Sequence, residues 1–203
     1  MKLYDCKDVV NPRRIRMVLA EKGMTVETVQ VDVPKGEQRS AAFRKLNPLA
    51  AVPCLELDDG AVISECAAIA RYLEASQPEP RLLGSTPKEQ ALVSMWQRRV
   101  EDGILNAATS FFHHATPGLG ETDRYRNADW GQANKKRVAE TMDWLDRELG
   151  NRAYVAGDGF SFADITAVCG IDIAKMLGIE MPDGHRNLRA WHARVSARPS
   201  AAA

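Results

Sequence analysis

The chain has 203 residues, and 27 lysines and arginines balance 27 aspartates and glutamates. That balance leaves no basic footprint for nucleic acid or an anionic membrane, and the close arginines Arg13, Arg14 and Arg16 read as a solvated helix face. No apolar run nears the length of a membrane span, the start MKLYDCKDVV has no leader-like apolar stretch, and Cys6, Cys54, Cys66 and Cys169 form neither CxxC nor a zinc-spaced Cys/His cluster, so a metal-free protein of the reducing cytoplasm is expected.

In chain order, residues 2 to 6 read as a strand. Asn11-Pro12 then reads as a helix start, with Asn as the cap and Pro at the first helical position. Ile15, Val18 and Leu19 give that helix one apolar face, and Gly23 ends it. Val26 to Val31 reads as a second strand. Lys35 to Leu46 is a loop with a short helix. Val52, Cys54, Leu55 and Leu57 precede Asp58-Asp59-Gly60, a strong hairpin-turn signal, and Ala61, Val62 and Ile63 follow it. Pro53 cannot donate to a sheet ladder, so its strand is an edge or begins there. A helix is predicted from about Ser64 to Ala75.

Gln77-Pro78-Glu79-Pro80 breaks the pattern, and from Thr86 onward only helical periodicity follows. Thr86-Pro87-Lys88-Glu89 has the form of a capping box with Pro at the first position. One long helix is predicted to about Ala115, another from about Asn127 to Leu149. Ser161-Phe162-Ala163-Asp164 is a second capping-box start, and the last helix holds Leu188 and Trp191. The prediction is an α/β domain over residues 1–77, a linker over 78–85 and an all-α domain over 86–203.

Asn47-Pro48-x-x-x-Val52-Pro53-x-Leu55, Ser64-Glu65-Cys66-x-Ala68-Ile69 and the β-α-β-α-β-β-α order resemble the N-terminal domain of the cytosolic glutathione transferases, of bacterial type. Ala156-Gly157-Asp158-x-Phe160-Ser161-x-Ala163-Asp164-Ile165 resembles their helical domain. The resemblance runs over nearly the whole chain and implies a thioredoxin-like α/β domain followed by an all-α helical bundle.

By the same resemblance, the Val52–Pro53 bond is cis, and the Val52 backbone pairs with the cysteinyl part of glutathione as an added strand. Glu65 meets the γ-glutamyl ammonium. Cys66, where most relatives have Ser, and the helix N-terminal N–H groups meet the γ-glutamyl carboxylate. Gln38 lies toward the glycyl end. Ala51 replaces a Lys or Gln, a contact that Arg39 or Lys35 would have to supply, although Lys35 reads better as a surface charge. A free thiol has a pKa of about 8.5, so the site has to stabilise the thiolate. Val9-Val10-Asn11 stands where relatives place a catalytic Ser or Cys. Asn11 is therefore the candidate for supporting the sulfur through its amide, a role compatible with capping. Tyr4 lies early for the tyrosine role and reads as packing. Cys6 reads as a core thiol, with redox work as the alternative. Val9, Val10, Phe111 and Phe112 are candidates for an apolar wall for the second substrate. His113 and His114 are adjacent, which does not suit a metal pair.

The implied activity is conjugation of glutathione, the co-substrate, to small apolar electrophiles. Glutathione-dependent disulfide or peroxide reduction and a non-catalytic protein-binding module are the alternatives. A cytoplasmic homodimer engaged in detoxification is the expected setting.

Overall fold

A computed structural model describes residues 1–120, 123 and 125–203. The chain divides into two compact units, residues 1–80 with Ala203, and residues 81–202.

The first unit holds a four-stranded mixed sheet. β1 (Lys2–Asp5), β2 (Glu27–Gln30), β3 (Cys54–Glu56) and β4 (Val62–Ser64) stand in the order β2-β1-β3-β4. β1 runs parallel to β2 and antiparallel to β3, with Leu3 opposite Leu55. β3 and β4 form the hairpin predicted around Asp58-Asp59-Gly60. Gly60 takes a left-handed φ of 85° there, and its N–H donates to the Leu57 carbonyl. Glycine meets that φ without a steric penalty. The helices are α1 (Val10–Glu21), the short α2 (Ala41–Leu46) and α3 (Cys66–Ser76), and α1 packs on α3.

Three local expectations need correction. α1 starts at Val10, with Val9 rather than Asn11 in the cap position and no side-chain cap. The Val9 N–H closes a turn onto the Cys6 carbonyl, so the chain enters the helix earlier. Pro12 becomes the third helical residue, where its missing N–H is still one of the helix's orphans. Ser64 does not open α3; it ends β4 opposite Cys54, and the helix starts at Cys66. Arg14 is not on a solvated face but only 2% exposed.

The second unit is helical throughout: α4 (Pro87–Val100), α5 (Asn106–Ala115), α6 (Ala128–Leu149), α7 (Phe162–Met176) and α8 (Arg186–Ser196). The capping box at Thr86 forms, with Glu89 accepting from the Thr86 N–H and the Thr86 hydroxyl accepting from Glu89. The single helix expected from Thr86 to Ala115 is interrupted by a π-turn at Glu101–Leu105. Gly103 packs against Thr141 of α6, where a Cβ would sit 2.6 Å from the Thr141 methyl. That close approach is where the helix widens by one residue.

α7 is predominantly apolar, and each residue from Phe162 to Ile171 is buried, as suits the central helix of a bundle. Asp164 sits at its start with no exposed surface. Its Oδ1 accepts from the Val155 N–H and Trp191 Nε1, both at 2.8 Å. Its Oδ2 accepts from the Ser161 N–H and hydroxyl, both at 2.9 Å. Burial is the main cause raising its pKa, and these donors oppose it. No helix is long and apolar enough to cross a membrane among the described residues.

Candidate functional site

Of the predicted site residues of the first unit, Asn11 and Cys66 meet where α1 and α3 begin. The Cys66 thiol donates to the Asn11 backbone carbonyl at 3.4 Å. That contact sets the first turn of α3 against the first turn of α1. Neither N-terminus carries a side-chain cap or a first-turn acid. Each presents first-turn backbone N–H groups and the positive end of a helix dipole, the arrangement that receives anions.

Glu65 holds the α3 cap position with φ 69° and ψ 122°, and its side chain is exposed. Such a backbone costs a non-glycine residue about 1–3 kcal/mol and is concentrated at functional sites. The geometry leaves the Glu65 carboxylate outside the helix start while its carbonyl accepts from the Ile69 N–H.

Val52 precedes β3, and the Val52–Pro53 peptide is cis. Among the described residues no backbone hydrogen bond of Val52 is formed. Its side chain joins a buried cluster with Cys6, Val31, Val33, Phe43 and Cys54, against which Val9 packs. The loop before it is shaped by Asn47, which the sequence reading gave no role. Buried to 3% exposure, Asn47 donates from Nδ2 to the Ala51 carbonyl at 2.8 Å and accepts from the Leu49 N–H at 3.1 Å. The amide adds to the backbone bond across this turn, from the Ala50 N–H to the Asn47 carbonyl.

Gln38 lies in a 3₁₀ turn before α2, 6% exposed, and its Oε1 has no hydrogen-bond partner among the described residues. A buried acceptor without a donor is costly in a closed core and is expected at a site that receives a ligand. Lys35 pairs with Asp32 at 2.7 Å on the open surface, which raises the Lys35 pKa.

Three residues are turned to other tasks. The Tyr4 hydroxyl donates to Glu56 Oε2 at 2.8 Å, and that hydrogen bond is the main cause lifting its pKa to about 12. Cys54 has no exposed surface, and burial pushes its thiol to about 11. Cys6 lies in the same cluster at 6% exposure. Val10 begins α1 half-buried. In the second unit Phe111 is buried beneath Lys135 of α6, whose Nζ stands 5.2 Å from the ring, and Phe112 meets His113 edge-on. Among the described residues no group of three His, Cys, Asp or Glu is placed to hold a metal.

Two buried cations escaped the sequence reading. Lys22 Nζ, at the end of α1, pairs with Glu74 Oε2 at 2.6 Å and donates to the carbonyls of Gln77 and Pro80 at 2.9 and 3.0 Å. Arg14 Nη1 donates to Asn11 Oδ1 at 3.2 Å. Helical spacing alone assigns charged residues to the solvent side, so no local signal marks either one.

Comparison with known proteins bears on the family and the fold. The model of the glutathione S-transferase N-terminal domain matches residues 10–76, and that of the C-terminal domain matches residues 100–199. Glutathione S-transferase 2 of Saccharomyces cerevisiae is 41% identical, covering 98% of this chain and 87% of the yeast protein. Maleylacetoacetate isomerase of Rattus norvegicus is 33% identical, covering 75% of this chain and 68% of the rat protein. The crystal structure of a glutathione S-transferase domain-containing protein of Marinobacter aquaeolei VT8 superposes with a TM-score of 0.97 at 45% identity, covering 98% of this chain and 99% of that one.

Proposed function

The chain belongs to the glutathione S-transferase family, whose co-substrate is glutathione, and from that premise we propose that it conjugates the glutathione thiolate to small, largely apolar electrophiles. The observation that carries the reading is the Cys66–Asn11 contact, which joins two uncapped helix N-termini at one corner of the unit.

In this reading the cysteinyl backbone of glutathione pairs with the Val52 N–H and C=O as an edge strand. The γ-glutamyl carboxylate takes the α3 N-terminal N–H groups, and Glu65 takes the ammonium. Gln38 serves the glycyl end through its unpartnered oxygen, on an N–H of the ligand. Asn11 and the start of α1 stabilise the thiolate. Val9 and Val10 offer the electrophile an apolar wall. The thiolate attacks the electrophilic carbon, forming the S–C bond as the leaving group departs with its electron pair. In an addition, the carbanion formed takes a proton from water. Tyr4 has no part in this, because its proton is already committed to Glu56.

The test is a rate comparison at fixed glutathione with an aryl halide, an activated alkene, a small disulfide and maleylacetoacetate. Turnover of the first two supports conjugation. Activity confined to the disulfide moves the assignment to glutathione-dependent reduction, and activity confined to maleylacetoacetate to the reaction for which the rat relative is named. The proposal includes a homodimer and a cytoplasmic location, tested by sedimentation and by cell fractionation.

A further inference from the structure

We propose that Arg14 is a positioning residue that fixes which face of the Asn11 amide meets the glutathione sulfur. The inference rests on the reading of Asn11 as the sulfur contact and goes one step past it.

An asparagine side chain carries an acceptor oxygen and a donor NH2 on a nearly symmetrical plane. Toward a thiolate the two faces are opposites, since the NH2 stabilises the anion and the oxygen repels it. Something has to choose. Arg14 stands three residues after Asn11, on the same side of α1. Helical side chains lean toward the N-terminus, which brings the guanidinium back over the first turn. There Nη1 lies 3.2 Å from Asn11 Oδ1.

Arginine has only donors and does not deprotonate in proteins. The amide atom that faces it must therefore be the oxygen, whatever the pH. Nδ2 is then the atom left to face away, toward a ligand at the helix start. At 2% exposure, Arg14 has little freedom to release this grip. Asn11 cannot turn as a whole either, because its carbonyl is tied to Cys66. The titratable and charged groups on the elements meeting here are Lys7 and Asp8 before α1, Arg13 and Arg16 on α1, and Glu65 and Cys66 on α3. Arg16 is paired with Asp5 at 2.6 Å.

The experiment follows the thiolate absorbance of enzyme-bound glutathione near 240 nm against pH, with kcat and KM, in the wild type, Asn11→Ala, Arg14→Met, Arg14→Lys and the Ala/Met double variant. Arg14→Met is expected to raise the pKa of the bound thiol by about one unit, the scale of a lost hydrogen bond to the charged form. kcat below that pKa then falls about tenfold, while KM for glutathione moves less than about twofold. Arg14→Lys, still a pure donor, recovers most of the shift. The double variant shifts no further than Asn11→Ala, because both act through one amide. A wild-type thiol pKa in Arg14→Met beside a raised one in Asn11→Ala overturns the proposal and leaves Asn11 standing. A wild-type pKa in Asn11→Ala overturns both. If Arg14→Met does not fold, Asn11→Asp decides: it presents oxygen on both faces, and a pKa no higher than wild type refutes the argument.

Discussion

Replacing Asp164 with alanine tests the account of the helical unit. Its carboxylate is fully buried and accepts four hydrogen bonds. The Ser161 hydroxyl can rotate to another acceptor. The N–H groups of Val155 and Ser161 and the Trp191 indole cannot. Each buried donor left unmade costs about 1–3 kcal/mol, so the three together cost roughly 3–9. Against this, the variant no longer buries a carboxylate, whose burial already raises its pKa and has an effective penalty of several kcal/mol. The net loss expected is about 3–5 kcal/mol, the range seen when one partner of a buried charged network is removed. For a chain of this size each kcal/mol moves the melting temperature by about 2–4 °C, so the midpoint falls by roughly 6–20 °C. Urea and thermal unfolding measure it, with Ser161→Ala as a milder control. A midpoint within about 2 °C of wild type refutes the reasoning.

Other consequences are as direct. Lys22→Met removes the ammonium paired with Glu74 in the interior and is expected to cost about 3–5 kcal/mol in urea unfolding, much of it recovered in the double variant with Glu74→Leu; equal stability of the single and double variants contradicts this. Tyr4 holds its proton to about 12 in the folded chain against an ordinary 10.0. Its stabilising contribution is therefore complete below pH 10 and is lost as pH rises toward 12. Tyr4→Phe should flatten that alkaline decline and leave glutathione turnover at neutral pH unchanged; a tenfold loss of turnover would return Tyr4 to the chemistry. Cys66→Ser keeps a single donor for the Asn11 carbonyl and should change the glutathione Kd by less than about twofold; a change of about tenfold or more in titration would show that this side chain meets the ligand instead.

Much of this molecule is legible in the sequence where the chemistry is local. The capping boxes at Thr86 and Ser161 are read from four residues each, because a cap is satisfied within its own turn. The β3–β4 hairpin is read from Asp58-Asp59-Gly60 for the same reason. The start of α1 is misread by two residues because Asn and Pro are also accepted inside a first turn, where N–H groups have no partner within the helix. The π-turn is hidden because Gly103 meets Thr141 of another helix, a contact absent from any window of sequence. Arg14 and Lys22 are hidden likewise: their partners are set by packing, and periodicity assigns a charge to water by default. Of the candidate site, the family motif names Val52, Glu65 and Cys66, while the contact of Cys66 with Asn11 and the unpartnered oxygen of Gln38 emerge only from the fold.

The central claim, that this corner of the α/β unit binds glutathione, is met most directly by isothermal titration of the purified protein with glutathione and S-hexylglutathione, in wild type and Glu65→Ala. The account predicts micromolar to low-millimolar binding of both, weakened about tenfold or more when the Glu65 carboxylate no longer meets the ammonium, a charge-assisted hydrogen bond of about 1.5–3 kcal/mol. No heat and no thermal stabilisation by either ligand in the wild type would contradict it.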